Sequence, residues 1–447
     1  MKAHKRALSV FAIGVALALA LFIVPGGSDS GQQASADAPF QLIYYDGHMH
    51  TTRSDGSGSV AQIKATALDR GLSAVIVTDH CKQLTLAEWN SLVAETAAVS
   101  DSSFLALPAF EITGNEGMLN RGHMNAYNAP DPFVGDDALE LCPEEVWPDP
   151  PNPAGTGANA ASLEKWASYV HLQGGIANHN HTSGSTQLGY GVNNIEIYNQ
   201  SHVDDVIGYA AALGYPPNLA WQFGVMLNNL AIYGERDLAT VVPWPYPPYQ
   251  ITVKLAVYYA TAIFSGVGQW LGAPQAPLNS WDQLLMAYVD GTAKRPTFAV
   301  ANSDAHHTGW ITDPLESDVG VAKNGLYVKA LTPSEVYKAI KAGRSFATTG
   351  PSIGFTVEGK MMGSTAYVVS GGSVNLNLSA TAETPGYVVA KIDIYKNGQL
   401  WNTIPGGSPT ILTDTVTADG YYRIEVTSVG PGLPQFAYSN PVFVDVP

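Results

Sequence analysis

Leu42-Ile43-Tyr44-Tyr45-Asp46-Gly47-His48-Met49-His50 and Leu72-Ser73-Ala74-Val75-Ile76-Val77-Thr78-Asp79-His80 share one design. In each, a short apolar run rich in β-branched or aromatic residues ends in a carboxylate and histidine. The runs predict buried strands over Leu42–Gly47 and Leu72–Thr78. Between them, Ser59 is placed as an N-cap with Gln62 three residues on, and Gly71 stands just past Arg70. That is the signature of a helix from about Ser59 to Arg70. Strand, helix and strand in this order predict a parallel α/β unit.

The same rhythm continues. Thr85 and Glu88 form a second capping box, and Phe104–Phe110, His123–Tyr127, Gly175–His179, Asn194–Tyr198 and Thr297–Ala301 read as further buried strands. A last helix starts at Thr332-Pro333-Ser334-Glu335 and ends at Gly343. Two stretches break the pattern. Asn128 to Thr156 is rich in Pro, Asp and Gly and predicts a long loop. Residues 201–280 carry aromatics and the run Pro243-Trp-Pro-Tyr-Pro-Pro-Tyr249, which predicts an inserted helical subdomain serving as extra core or as an apolar substrate wall. After Gly350-Pro351 the pattern changes to short strands such as Ser373–Leu378, Ala390–Tyr395 and Tyr421–Thr427, with turns at Asn397-Gly398 and Asp419-Gly420. This predicts an antiparallel β-sandwich over 351–447, after a main domain over 37–350.

With 447 residues, 46% hydrophobic and 13% charged, the chain has ample material for a large core. Its formal net charge of -16 and lack of basic blocks argue against nucleic acid as a partner. Lys2, Lys5 and Arg6, the apolar run Leu8–Val24 and Ala34-Ser35-Ala36 predict an export signal over 1–36, either cleaved or kept as an anchor. Such an anchor would be the one membrane contact. Only Cys81 and Cys142 occur, too few for a thiolate metal cluster, though outside the cytoplasm they could pair.

Eight of the 11 histidines fall in five short segments at predicted strand ends. These are Asp46 to Gly56 with His48, His50 and Asp55; Thr78-Asp79-His80; Glu111 with His123; Asn178-His179-Asn180-His181; and Asn302 to His307 with Asp304 and His306. Histidines two apart on an extended strand point to one side. Side chains at the carboxyl ends of strands converge on one mouth in α/β folds. Imidazoles and carboxylates without thiolates suit zinc, manganese or iron.

In this ordered set, His48-x-His50 with Ser54-Asp55-Gly56, Thr78-Asp79-His80, Glu111, His123, Asn178-His179 and Ser303-Asp304-Ala305-His306, the chain resembles the PHP (polymerase and histidinol phosphatase) superfamily of metal-dependent hydrolases. The resemblance spans about residues 44–310 and implies a distorted (β/α)7 barrel with two or three divalent ions. It implies His48, His50, Glu111 and Asp304 as ligands of one ion. Glu111 would bridge to a second, also held by His123 and His179. Asp55, His80 and His306 would hold the third. Family members usually have proline after the fourth-segment histidine. Asn180 stands there instead, and His181 beyond it is a rival to His179. Ala342 to Pro351 followed by a β-sandwich resembles an exported branch related to carbamate-ester (carbaryl-type) hydrolases.

A water bridging such ions is acidified toward neutral pH and can attack phosphorus or a carbonyl carbon. Asp304 or His306 would move its proton. Arg53 would either bind an anionic leaving group or stand as a solvated loop arginine. Asp79 is expected to orient a ligand histidine, and Glu196 to stand behind the ligands or face substrate. The expected activity is phosphoester hydrolysis. The alternatives are hydrolysis of small-molecule esters, carbamates or amides, and metal-dependent binding at the cell envelope without catalysis.

Overall fold

The computed structural model describes residues 39–113, 123–129, 167–180, 191–199, 280–307, 318–431 and 434–447. The expected export signal, Cys142, His181, residues 130–156 of the expected loop, and residues 201–279 of the insertion lie outside the described residues. Cys81 is disulfide-bonded. No described helix is long and apolar enough to cross a membrane.

The main sheet begins with β1 (Gln41–Asp46), β2 (Ala74–Val77), β3 (Leu105–Thr113), β4 (His123–Tyr127), β5 (Ile176–Asn180), β6 (Asn194–Asn199) and β7 (Phe298–Asn302), which lie side by side in chain order. Helices α1 (Val60–Asp69) and α2 (Leu86–Val99) start where their caps dictate. Ser59 and Thr85 each accept a bond from the backbone N–H three residues on, and Gln62 and Glu88 return it. Gly71 follows α1 with φ of +71°, a conformation costly for any residue with a Cβ.

The strands β1–β2–β3 and β5–β6–β7 are parallel, as the alternating pattern predicts. Strand β4 differs, running antiparallel to both β3 and β5. Nine residues separate Thr113 from His123, too few for a parallel crossover of about a dozen residues. The chain therefore has to return antiparallel. One face of these strands carries Phe110, Ile112, Met124 and Ile195, with Met49, into one apolar cluster with Ile63 and Leu92 of the helices.

Strand β8 (Lys323–Val328) pairs antiparallel with β1, and β9 (Ser345–Thr348) with β8. Between them lies α4 (Pro333–Lys341), capped by Thr332 with Pro333 in its first turn. Helix α3 (Ser280–Val289) precedes β7. Among the described residues, no ladder joins β7 to β1. Two asparagines occupy that edge instead. Asn324 accepts from Ala301 N (2.9 Å) and donates to Ala301 O (2.6 Å). Asn440 accepts from Ala299 N (2.7 Å) and donates to Ala299 O (3.2 Å). Their amides stand in for a neighbouring strand, so the buried edge keeps its backbone bonds.

The C-terminal region has two sheets. One contains β10 (Ser352–Val357), β11 (Lys360–Met361), β13 (Ser373–Thr381) and β16 (Thr410–Thr415), all antiparallel. The other contains β12 (Thr365–Tyr367), β14 (Val388–Lys396), β15 (Gln399–Pro405), β17 (Gly420–Val429), β18 (Gln435–Ser439) and β19 (Val442–Asp445). Ile353, Phe355, Leu376, Ile392, Ile424 and Val426 fill the core between them. The second sheet is not freestanding, because β18 pairs with β9 and so continues the main sheet.

Candidate metal centre

His48 and His50 follow β1, where the chain lies against residues 304–306: Asp304 N donates to His48 O and His50 N to Ala305 O, both at 2.9 Å. This extended pairing points Met49 into the apolar cluster and both imidazoles to the opposite side. Asp304 holds a φ of +55°, uncommon for a residue with a Cβ. That turn brings its Oδ1 within 3.1 Å of both His48 Nε2 and His50 Nε2. On β3, Glu111 Oε1 lies 3.3 Å from His48 Nε2 and Oε2 lies 3.5 Å from His50 Nε2.

Asp55 sits in the turn after His50. Asp79 shapes that turn by accepting from Thr51 N (2.6 Å), Thr51 Oγ1 (2.7 Å) and Ser54 Oγ (2.7 Å). Gly56 packs so closely that a Cβ there would lie 2.3 Å from His50 O, so only glycine fits. Asp55 Oδ2 then lies 3.1 Å from His80 Nε2 and 3.5 Å from His306 Nε2. The other His80 nitrogen, Nδ1, lies 3.0 Å from Glu111 Oε2, and His123 Nδ1 lies 2.9 Å from Glu111 Oε1.

Three donor groups result: His48, His50 and Glu111; His80, Glu111 and His123; and His50, Asp55, His80 and His306, each with donor atoms within 4.8 Å of one another. Glu111, His50 and His80 each belong to two groups. Donors about 2.1 Å from one tetrahedral cation lie about 3.4 Å apart. The His48 and His50 Nε2 atoms lie 3.1 to 3.5 Å from the Glu111 and Asp304 oxygens and 3.3 Å from each other. Two imidazole nitrogens facing each other at that distance suit a shared cation. The donor set fits divalent metal ions. The third group opens to solvent, since the Asp55 and His306 side chains are 40% and 29% exposed whereas His48 and Glu111 are fully buried.

Electrostatics follow from this crowding. Burial alone would lower the His48 pKa, but Asp304, Glu196 and Glu111 reverse that and hold it well above the usual value. Burial opposes the charge on His80 too, and its bonds to Asp55 and Glu111 override it and raise the pKa to about 10. Burial would raise Glu111 and Asp55, yet the surrounding imidazoles lower both. At His50 burial prevails, and its pKa falls.

Seven of the nine anticipated ligands, His48, His50, Asp55, His80, Glu111, His123 and His306, fall in the three groups, and Asp304 stands beside them with Oδ1 3.1 Å from both His48 and His50. His179 does not join any of the three groups. Asn180 and His123 are register partners on β5 and β4 and both reach Glu111, Asn180 Nδ2 at 2.8 Å. Strand alternation therefore sends His179 to the other face, beside its partners Met124 and Ile195.

Arg53 is also held elsewhere. Its Nη2 donates to Glu95 Oε2 (2.6 Å) and Ser91 Oγ (3.1 Å) on α2. Asp79 orders the Asp55 turn through these bonds, where a bond to a histidine was expected. Glu196 lies behind His48. Asn180 stood out in the sequence only as a departure from the family pattern, and its bond to Glu111 was not anticipated, although its strand alternation with Asn178 was a usable signal.

No protein-family model and no curated protein matches the chain. Among solved structures, the chain is similar to a two-domain protein from Bacteroides vulgatus described as containing a predicted PHP-like metal-dependent phosphoesterase. Identity is 13%, the TM-score is 0.35, and the match covers 90% of this chain and 96% of that one. It is also similar to an amidohydrolase from Chromobacterium violaceum with bound sulfate and no metal, at 17% identity and a TM-score of 0.23, covering 38% and 84% of the two chains. At these scores neither likeness bears on activity or substrate.

Proposed function

We propose that the chain is a PHP-type metal-dependent hydrolase, acting outside the cytoplasm, whose substrate is a small phosphoester. The observation that carries this is the overlap of three donor groups through Glu111, His50 and His80. A lone buried imidazole cluster is costly unless paired, and adjoining groups of this composition suit adjacent divalent ions. Strands β1–β7 then form the wall of a distorted barrel, a reading supported by the parallel bridge between Met49 and Ala305. The export reading rests on the basic start, apolar run and small-residue site before Asp37.

His48, His50, Glu111 and Asp304 would hold one ion, Glu111 with His80 and His123 a second, and Asp55, His80 and His306 a third. Bound there, divalent zinc, manganese or iron would acidify a water and offset negative charge on the reacting group. The protein's own groups do the rest. The buried wall of His48, Glu111 and Glu196 keeps bulk water from the deep side. Asp304, fixed between two imidazoles, is placed to take the attacking water's proton. His306, on the solvent side, would face the departing group.

A second reading, hydrolysis of neutral esters, carbamates or amides, is favoured by Arg53. This cation lies between His50 and Asp55 in sequence, and it is committed to Glu95. A net charge of -16 also gives no long-range attraction for anions. The test is metal analysis with a panel of aryl phosphates, esters and carbamates, assayed after loading with manganese or zinc. Turnover of phosphates is expected. Turnover of esters or carbamates with every phosphate inert would replace the phosphoesterase reading with the second one. Metal content near zero would overturn both and favour a binding role.

A further inference from the structure

Strand β6 contributes no residue to the three donor groups among the described residues. Yet it runs behind two of their members. Glu196 is buried, and its Oε1 lies 2.8 Å from His48 Nδ1, the nitrogen turned away from Glu111 and Asp304. Asn302 Nδ2 donates to the same oxygen at 2.8 Å. Asn199 Nδ2 donates to Glu196 Oε2 at 3.0 Å and to Asp304 Oδ2 at 3.3 Å.

A regular strand would not allow this, because residues three apart face opposite sides. The pairing of β6 with β7 shifts register between Glu196 and Tyr198. The shift is a bulge, and bulges re-aim side chains. Here it sends Tyr198 into the apolar cluster and returns Asn199 to the Glu196 side. A buried carboxylate carries a desolvation cost that apolar packing would avoid. Glu196 spends its acceptors on one imidazole and two amides, which suggests a role in holding those groups.

We propose that Glu196 and Asn199 are positioning residues, a brace built by the β6 bulge. Glu196 keeps the His48 proton on Nδ1, which leaves the Nε2 lone pair toward Glu111 and Asp304. Asn199 holds Asp304 Oδ2, which leaves Oδ1 toward the same point. Partners of this kind set the tautomer and basicity of a metal-ligating histidine. The proposal rests on the metal reading above.

The test uses the full chain as wild type, Glu196→Gln, Asn199→Ala, His48→Ala, and His48→Ala combined with Glu196→Gln. Zinc dissociation constants are measured by chelator competition. Visible spectra of the cobalt(II)-loaded forms report the ligand field, which a merely structural residue would leave unchanged. Glu196→Gln is expected to weaken binding about 10- to 100-fold and to shift the cobalt spectrum. Asn199→Ala should move both in the same direction by less. In the His48→Ala background, Glu196→Gln should add nothing, because Glu196 acts through His48 while Asn199 acts through Asp304. Wild-type affinity and spectrum in both Glu196→Gln and Asn199→Ala would overturn the brace while leaving the metal reading intact. So would a full-sized Glu196→Gln effect without His48. A wild type that binds no zinc or cobalt would overturn both.

Discussion

Asp79 and His80 are adjacent and do different work. Asp79 accepts three hydrogen bonds from Thr51 and Ser54. Removing a buried acceptor strands its donors at about 1–3 kcal/mol each. Asp79→Ala is therefore expected to cost about 3 kcal/mol in urea unfolding and to weaken metal at the Asp55 group before the deeper ones. His80, bridging Asp55 and Glu111, sets a pH dependence in the metal-free chain. Its pKa rises from the ordinary 6.5 to about 10. Its stabilisation is fully present below pH 6.5 and is lost as pH rises through about 10. Metal-free protein should thus lose stability across that window. Metal uptake near neutrality should release protons, because ligating imidazoles are neutral. Calorimetry in buffers of different ionisation enthalpy checks the release. At this scale the sequence was informative wherever chemistry and local turn coincide, as at Asp55-Gly56. Arg53 was illegible because its partner, Glu95, lies 42 residues away on another element.

Between elements, the edge of β7 shows how side chains complete what a strand would otherwise supply. Asn440 satisfies both backbone groups of Ala299, and Asn324 those of Ala301. Asn440→Leu would leave a buried N–H and C=O without partners. The expected cost is about 3 kcal/mol, with faster hydrogen exchange at Ala299 as the local readout. The helix starts were legible because capping chemistry is local to four residues. Pairings were less so. Strand β4 reads like its parallel neighbours, and only the nine-residue spacing before it betrays the reversal. The β18–β9 pairing joins segments about 90 residues apart, and no local signal encodes it. His179 was misplaced for a related reason, since a histidine in a strand has a face that its neighbours decide.

Across the whole molecule, the two halves are joined by a buried ion cluster. Arg423 of β17 meets Asp282 of α3 at 2.8 and 2.7 Å through Nε and Nη2, and also pairs with Glu425. Tyr421 donates to the same Asp282, and the guanidinium lies over Trp281 and Tyr395. Arg423→Ala would take the guanidinium from two buried carboxylates, at about 3–5 kcal/mol. A large fall in melting temperature is expected, and an unchanged melt would mean the cluster does not hold the halves together. That cluster and the shared sheet support the metal-centre side from a distance, while the centre itself depends on Glu111, common to two donor groups. The most direct test of the account is the number of divalent ions bound per chain, measured by elemental analysis of wild type and Glu111→Gln after equilibration with zinc or manganese. Wild type should hold at least two, and Glu111→Gln should lose more than one. A wild type without bound metal, or a Glu111→Gln protein that keeps the full number, would contradict it.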